Sequence, residues 1–542
     1  MNRGFYIVEL IPYSLFSFFS FFPFFLSLLK SKLSQMSTPE MIYSRYLGQK
    51  FTPSDSSFVV ASVEVGNTTT KCILTAADLK TGKTDLIGKY VCLTRDARPP
   101  NPDEIVFGET ISGVRLTRQS LAELVRDTVF STLFENRMTV DDVHFVVRST
   151  GVTNGAANHA AAVQVDLVPD YMGTVVQALA DGCLMAGFTP RKMTGYLSLN
   201  KMPEKLQAYS LLDRVYFDGA VAGVLPPKCF AENIISNEME GELAAAGLKE
   251  AGKHTSIDFR NPCLAIDMGT TLSGRIIGNE KPYAKTHGNF CGYAGAVSDY
   301  LIQKIDAEKQ SAFELFGMDE NQQPVSSASP AASAPSSKPS SFLSRSFLSS
   351  VPFLSSPERR GIKSAQNEIR SLINVMEVPE NRTQFGPFLV NPAAAKKSGF
   401  TLIGCDVGEN GSDLSALSDI GYSVYENYGF SAVSDLMDEV MSDIAVDLVK
   451  CVIDAGLLFD GATIGITGRA GTTGKKPDLI LQKVSRMIQS PEKRILFAED
   501  GLARGAAVMA RCMNSLGCPK NPLGGNKGGG CIMAERKRFQ QV

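Results

Sequence analysis

The chain has 542 residues, of which 44% are hydrophobic and 20% charged, and its formal net charge is −2. Since a hydrophobic core tends to stop growing at about 250 to 300 residues, we expect more than one domain. The near-neutral charge excludes a global field that recruits nucleic acid or an anionic membrane. The cysteines form no CxxC pair, which indicates free thiols in a reducing cytosol rather than a disulfide framework.

The N-terminal segment, residues 1–56, differs from the rest. An apolar run rich in Phe covers residues 10–29, a length that suits a membrane span of about 20 residues. The residues that follow make only a poor signal-peptide cleavage site. Two interpretations stay open: an N-terminal membrane anchor, or sequence upstream of a true start at Met36 or Met41. We favour the second and expect a cytoplasmic protein, attached to a membrane only if residues 10–29 are translated.

A first domain, residues 57–262, is predicted to begin with a hairpin. An apolar run from Phe58 reaches a turn at residues 66–70, and a second apolar run continues to Thr75. A P-loop needs a helix after such a turn, whereas Cys72 and its neighbours continue as a strand. The tip of a hairpin with Gly and Thr presents N–H groups and hydroxyls to an anion.

The remainder of this domain alternates strands and helices. Residues 86–94 are predicted as a third strand, 116–134 as a helix with Thr117 as N-cap, and 143–148 as a further strand. A helix at 175–187 and a strand-and-turn at 215–225 follow. This order is typical of an α/β unit with its ligand at the carboxyl ends of the strands.

A second hairpin, Cys263 to Gly278, opens the second domain, residues 263–513, and has Asp267, Gly269 and two threonines at its turn. Two such copies indicate two similar domains that face one nucleotide. The course of this domain is interrupted at residues 319–360, where Ser, Pro and Ala dominate. Such a composition buries too little apolar area to offset its ordering entropy, so we predict a disordered insertion.

Later elements of the second domain are strands at 400–406, 461–467 and 495–498, an amphipathic helix at 433–453 and a final helix at 502–510. Small residues in the final helix permit close approach of a backbone or a flat ring, and tight helix packing explains them equally well. Residues 514–542 form a Gly-rich tail, which we interpret as flexible.

The order of these motifs resembles the actin, sugar-kinase and heat-shock-ATPase superfamily. The runs VVASVEVGNTTTKCILTA, FVVRSTGV, DGCLMAGFTPRKMT, PCLAIDMGTTLSGRI and NPLGGNKGGGCIM further resemble one family, methanogenesis marker protein 14, over residues 57–539 apart from the insertion. The resemblance implies an α/β protein in which two ribonuclease-H-like domains face a nucleotide cleft, an actin-like ATPase fold. It also implies ATP and Mg²⁺ as cofactors and a reactivase-like or chaperone-like ATPase that acts on a methanogenesis enzyme.

The resemblance assigns phosphate contacts to both hairpins and the adenosine border to later loops. The phosphate contacts are Gly66, Asn67, Thr68 and Thr69 in the first hairpin and Gly269, Thr270 and Thr271 in the second. The adenosine border is Gly468, Arg469, Gly471, Glu499 and Gly505. The alternative is that each Gly and Thr only makes a tight turn, and that Arg469 is solvated rather than stacked on adenine.

Two carboxylates are the candidate catalytic and metal-binding residues. Asp267 is expected to hold Mg²⁺, because a hard cation prefers carboxylate oxygen, and to orient the attacking water. Glu64 stands where the superfamily has Asp and reaches with one more methylene, so hydrolysis is expected to be slow or absent. The acidic turn of Asp406, Glu409 and Asp413 is interpreted as an exposed turn in preference to a third metal contact.

Three classes of function stay open. The first is an ATP-binding reactivase with a protein partner in the methanogenesis machinery, as a monomer or a homo-oligomer. The second is a small-molecule kinase on the same fold, against which the loop after Arg148 offers no acidic base. The third is a nucleotide-binding scaffold without catalysis, which the Glu64 departure favours.

Overall fold

The computed structural model describes residues 40–42, 57–66, 68–78, 84–110, 114–150, 163–165, 171–189, 215–218, 221–224, 238–280, 285–306, 356–397 and 399–514. The apolar run at 10–29, most of the predicted insertion and the tail from residue 515 lie outside these ranges, so the expectations about them stay predictions. Among the helices in the described ranges, none combines the length and the apolar character that a bilayer span requires.

The strands fall into two groups along the chain. The first group is β1 (Glu40–Ile42), β2 (Ser57–Val65), β3 (Thr69–Asp78), β4 (Thr84–Leu93), β5 (Val106–Thr110), β6 (Arg115–Thr117), β7 (Phe145–Thr150), β8 (Val163–Val165), β9 (Val215–Asp218) and β10 (Val221–Val224). The second group is β11 (Cys263–Met268), β12 (Leu272–Ile277), β13 (Thr286–Gly292), β14 (Ile373–Glu377), β15 (Gln384–Phe385), β16 (Phe388–Leu389), β17 (Thr401–Val407), β18 (Thr463–Thr467) and β19 (Ile495–Ala498).

The helices alternate with these strands, as the sequence predicted for an α/β protein. They are α1 (Arg118–Glu135), α2 (Tyr171–Met185), α3 (Glu238–Gly252), α4 (Ala296–Asp306), α5 (Ser356–Leu372), α6 (Pro392–Lys397), α7 (Leu414–Tyr428), α8 (Phe430–Asp454), α9 (Arg469–Thr472), α10 (Lys476–Val484) and α11 (Gly501–Asn514). Thr117 is confirmed as the N-cap of α1, because its hydroxyl oxygen accepts a hydrogen bond of 3.0 Å from the Ser120 amide.

Two large sheets share one pattern of strands. The first has the order β4-β3-β2-β7-β10-β9, and the second contains the run β13-β12-β11-β18-β19. In both sheets the first three strands along the chain, β2-β3-β4 and β11-β12-β13, pair antiparallel in succession. The next strand pairs parallel with the first strand of the hairpin (β7 with β2, β18 with β11), and a further strand pairs parallel with that one (β10 with β7, β19 with β18). The repeated hairpin therefore sits at the same position of both sheets.

The second sheet is larger than the sequence predicted. β17 and β14 extend it at one edge and β1 at the other, where Met41 pairs with Phe497. β1 thus lies inside the segment predicted as a linker. Similarly, α5 begins at Ser356, inside the range predicted as the disordered insertion.

The main core of the second sheet lies under its long helix. The predicted apolar face of α8 is confirmed, since Leu436, Val440, Ile444, Leu448 and Val452 are all buried. Burial of each such side chain contributes roughly 1.5 to 3 kcal/mol to folding. The uninterrupted burial of β11 follows from the helices that cover both faces of this mainly parallel part of the sheet.

Two helices lie between the sheets and set their spacing. α3 packs on the second sheet through Leu248, whereas α11 packs on the first sheet through Ala503. The two helices cross at glycines: a Cβ on Gly247 would lie 1.8 Å from the carbonyl oxygen of Gly501. The described residues all belong to one compact unit.

Candidate functional site

Both hairpin tips line a single cavity of about 170 Å³. The structure brings together most of the residues that the sequence assigned to phosphate, metal and adenosine. Those that line the cavity are Glu64, Gly66, Thr68, Thr69, Asp267, Gly269, Thr270, Thr271, Gly468, Arg469 and Glu499. Asn67 lies outside the described residues. These residues come from motifs that are far apart in the chain, and the fold brings them to one cavity.

The first tip is held by its own turn and by the residue that follows β4. The Gly66 amide donates to the Thr69 carbonyl oxygen at 2.9 Å. Thr94 donates twice, from its amide to the Thr68 carbonyl oxygen and from its hydroxyl to the Gly66 carbonyl oxygen, each at 2.9 Å. A Cβ at position 66 would lie 2.9 Å from the Thr69 oxygen, so this turn requires glycine.

The second tip is held by the start of α4. The Gly295 amide donates to the Gly269 carbonyl oxygen at 2.6 Å, and the Ala296 amide donates to the Thr270 carbonyl oxygen at 3.0 Å. On the other side, Gly468 has a φ of +83°, and a Cβ there would lie 2.3 Å from the Met268 backbone. The segment before α4 and the residue Gly468 therefore contact the backbone of the tip, and neither contact uses the threonine side chains.

The two candidate carboxylates have different partners. Glu64 forms an ion pair of 3.2 Å with Lys71, its cross-strand neighbour in the β2–β3 hairpin. Asp267 instead faces Ser273, whose hydroxyl donates to Asp267 Oδ2 at 3.4 Å. Burial, and next the negative charge of Glu64, raise the pKa of Asp267 to about 7. Asp267 is therefore only partly ionised at neutral pH, although the positive charge of Lys71 acts against the shift.

The donor set fits Mg²⁺ better than a softer metal. The described residues contain no group of three or more His, Cys, Asp or Glu side chains placed to hold a metal by themselves. Mg²⁺ is commonly held by one or two carboxylates, together with water and phosphate oxygens. Glu64 and Asp267 supply two carboxylates that interact electrostatically across the cavity.

Asp299 is a site residue that the sequence did not predict. It lies in the first turn of α4, lines the cavity, and accepts hydrogen bonds from the Thr68 and Thr270 hydroxyls at 3.1 and 3.4 Å. Burial raises its pKa to about 6, against the opposing influence of those two hydroxyls and of Arg469. Its surrounding sequence reads only as an amphipathic helix, so no local signal marks it.

Three lysines of the cavity were also missed as site residues. Lys71 and Lys89 line it from the first sheet, and Lys476 lines it from α10. Lys89 forms an ion pair of 2.8 Å with Asp500, which follows β19, and so connects the two halves of the site. Lys71 lies within the first hairpin motif, so its position beside the Gly/Thr turn could have identified it from the sequence as a site residue.

Two predicted glycines of the adenosine border do not line the cavity. A Cβ on Gly505 would lie 1.9 Å from the Leu243 carbonyl oxygen, so this glycine permits α11 to cross α3. Gly471 packs on Ile466 of β18. Tight packing, the alternative offered by the sequence, accounts for both positions.

The acidic turn near Asp406 also lies away from the cavity. Asp406 is buried and pairs with Arg382 at 3.1 Å, and it accepts hydrogen bonds from the amides of Val407, Asn410 and Gly411. These contacts use the carboxylate to organise the turn. The interpretation as a structural turn is confirmed, although Asp406 itself is buried rather than exposed.

Comparison with known proteins places the chain in a family. Residues 57–540 match the model of the family described as "Uncharacterized protein conserved in archaea (DUF2114)". The chain belongs to this archaeal family. A family relative, the Uncharacterized protein MJ1451 of Methanocaldococcus jannaschii, is 43% identical over 489 residues, which cover 89% of this chain and 91% of the relative. A second, from Methanothermobacter thermautotrophicus, is 43% identical over 490 residues, 90% of this chain and 84% of the relative.

Solved structures give weaker similarities to this DUF2114 protein. A reductive activator for a corrinoid, iron-sulfur protein has a TM-score of 0.31 and 12% identity, with 90% of this chain and 70% of that chain covered. The (R)-2-hydroxyglutaryl-CoA dehydratase component A of Acidaminococcus fermentans has a TM-score of 0.31 and 10% identity, with 83% and 96% covered. A hexokinase has a TM-score of 0.28 and 12% identity, with 83% and 84% covered. These values are too low to carry an argument about fold or function.

Proposed function

We propose that this protein binds Mg-ATP between its two hairpins and is an ATPase of reactivase or chaperone type. The observation that carries the proposal is the meeting of two Gly/Thr hairpin tips, from matching positions of two sheets, in one cavity with a buried and a partly buried carboxylate. A single hairpin would be explained as a tight turn, whereas two that converge on charged groups need a polar ligand.

The fold proposed for this function is a pair of ribonuclease-H-like domains, as in actin-like ATPases. Its support is the repeated strand order, with the hairpin, a third antiparallel strand and two parallel strands in each sheet. Carboxyl ends of parallel strands in open sheets are where ligands bind. β7 and β18 are each parallel to the first strand of a hairpin, and Thr467 at the carboxyl end of β18 lines the cavity.

The residues of the cavity have separable roles in this proposal. The hydroxyls of Thr68, Thr69, Thr270 and Thr271 donate to phosphate oxygens, and Lys71 and Arg469 supply positive charge. Asp267 and Glu64 would hold Mg²⁺, and Asp267 would orient the attacking water. Mg²⁺, when bound, neutralises negative charge that develops on the transferred phosphoryl group. Arg469 and Glu499 would border the adenosine.

A cytoplasmic role in methanogenesis is the finer part of the proposal. It rests on the resemblance of the hairpin and tail motifs to methanogenesis marker protein 14, and on relatives from Methanocaldococcus jannaschii and Methanothermobacter thermautotrophicus. The proposed partner is a methanogenesis enzyme, and closure of the two domains on ATP changes how this protein binds that enzyme.

A nucleotide-binding scaffold without turnover is the second candidate, and one contact favours it. Lys71 engages the Glu64 carboxylate at 3.2 Å, so this carboxylate is already paired and less available to a metal or a water. Binding without hydrolysis is the result that this candidate predicts.

The test uses the full chain and isothermal titration calorimetry with ATP, once with Mg²⁺ and once with EDTA, followed by phosphate release on the same sample. Mg-dependent binding with slow release that a partner protein accelerates supports the ATPase. Binding without release supports the scaffold, whereas ADP formation that requires a small metabolite and releases no free phosphate supports the kinase, because the phosphoryl group is then transferred to the metabolite. The variant Asp267→Asn is titrated in the same way, and Asp419→Asn, which changes an exposed carboxylate, is its matched control. Absence of ATP binding by the wild-type chain would contradict the proposal.

A further inference from the structure

One carboxylate oxygen connects the two hairpin tips. Asp299 Oδ2 accepts from the Thr68 hydroxyl of the first hairpin and from the Thr270 hydroxyl of the second. Thr68 and Asp299 are 231 positions apart in the chain. A carboxylate that holds both threonines at once makes the relative position of the tips depend on one side chain.

The backbone attaches Asp299 to the second hairpin. The Asp299 amide donates to the Gly295 carbonyl oxygen at 2.9 Å, and Gly295 itself donates to Gly269 at the tip. Asp299 also stands in the first turn of α4, where the helix dipole favours a negative charge. The hydrogen bond to Thr270 is thus local to one half of the site, whereas the hydrogen bond to Thr68 crosses to the other half.

We propose that Asp299 is a positioning residue that, in the nucleotide-free protein, takes the hydroxyl donors of Thr68 and Thr270 and holds the two tips together until phosphate displaces it. The assignment of these threonines to phosphate rests on the proposed function. The connection between the tips does not, because it is a set of contacts within the protein.

The chemistry of displacement follows from the two acceptors. A carboxylate oxygen and a phosphate oxygen are both anionic acceptors for a hydroxyl donor. If a phosphate oxygen and the Asp299 carboxylate both accepted from the same threonine hydroxyls, their negative charges would be close together and would repel each other in a site of low dielectric. A phosphate that binds the threonines must therefore separate them from Asp299. Arg469, whose charge acts on Asp299 and on Lys71 alike, lies where it can compensate the released carboxylate.

Hydrogen exchange on the full, nucleotide-free chain tests the connection. Asp299→Ala removes the acceptor, and we expect exchange at the amides of both tips to rise about tenfold, the loss of roughly one hydrogen bond. Asp299→Asn keeps an oxygen acceptor and should stay close to wild type. The control is Ser298→Ala on the same helical turn, since the buried Ser298 hydroxyl makes no hydrogen bond within the described residues. An increase at one tip only, or at neither, would overturn the proposal.

Binding of ATP then tests displacement. Asp299→Asn removes the competing charge while it keeps the shape, so its affinity for Mg-ATP should rise about tenfold over wild type. A weaker affinity would overturn displacement and make Asp299 a direct ligand. If neither protein binds ATP while exchange at both tips still depends on Asp299, the proposed function fails and the connection between the tips stands.

Discussion

The two hairpins have the same position in their sheets but balance charge differently. In the first, Glu64 faces Lys71 across the strands and forms an ion pair with it. In the second, Asp267 faces Ser273, a neutral donor at 3.4 Å. The first hairpin brings its own cation, and the second does not.

This difference indicates that the second hairpin, rather than the first, is the half of the site that an external cation would stabilise. A buried carboxylate without a paired charge is costly unless it is protonated or bound to a metal. Asp267 meets that description, with a pKa raised to about 7 by burial and then by Glu64. The first hairpin therefore presents hydroxyl and amide donors around a neutral pair, whereas the second presents the carboxylate that a divalent cation would stabilise.

The largest effect is expected from Asp267→Asn. It removes the unpaired carboxylate but keeps the shape, so the affinity for Mg-ATP should fall by about a hundredfold, equivalent to ~2.7 kcal/mol. Calorimetry with and without Mg²⁺ measures it, with Asp419→Asn as the control. Unchanged affinity and unchanged Mg²⁺ dependence would mean that the second hairpin is not the metal half.

A smaller effect is expected from Glu64→Gln, because Lys71 already neutralises that carboxylate. The affinity for Mg-ATP should fall by about tenfold or less, and its dependence on Mg²⁺ should remain. The same titration as for Asp267→Asn measures it. A loss of Mg²⁺ dependence equal to that of Asp267→Asn would show that the two hairpins contribute equally, and the contrast between them would fail.

Stability as a function of pH offers a test without nucleotide. The folded-state pKa of Asp267, about 7, lies above its ordinary value of 3.8, so the contribution of this group to the stability of the wild type falls as pH rises from about 4 to 7, and the fall is complete above pH 7. Asn does not titrate. Without metal, Asp267→Asn should thus melt at a higher temperature than wild type at pH 8, with the gap shrinking toward pH 4. A constant gap over this range would contradict a raised pKa.

The smallest effects are expected on the pH at which the gap in melting temperature between a protein with Asp267 and its Asp267→Asn variant is half complete, which we call the midpoint. Glu64→Gln removes a negative charge that raises the pKa of Asp267, so the midpoint should move to lower pH. Lys71→Met removes a positive charge that lowers the pKa, so the midpoint should move to higher pH. Melting curves of each variant and of its double with Asp267→Asn isolate the midpoint. Shifts of the same sign would show that the variants act through folding rather than through charge.

Much of the site could be predicted because its motifs are local. Each hairpin is two apolar runs around a Gly/Thr turn, and alternation within a few residues fixes both the strands and the tip. The N-cap of α1 at Thr117 is a similar short-range signal. Glu499 and Arg469 were assigned to the adenosine border through the resemblance to the actin, sugar-kinase and heat-shock-ATPase superfamily.

Packing decided the residues for which the sequence allowed two roles. Glycine in a helix serves either a ligand or a neighbouring helix, and only the approach of Gly505 to Leu243 separates the two. The pairing of β1 with β19 and the start of α5 at Ser356 had no signal in composition, because both segments border runs that read as linker or insertion.

The sequence by itself thus determined the two Gly/Thr hairpins, the carboxylates beside them and the α/β alternation, since these depend on residues close together in the chain. Tertiary structure decided that Asp299 joins the tips, that Lys89 meets Asp500 and that burial raises the pKa of Asp267. These properties depend on which distant side chains become neighbours and how much water they lose. Neither quantity is carried by local periodicity.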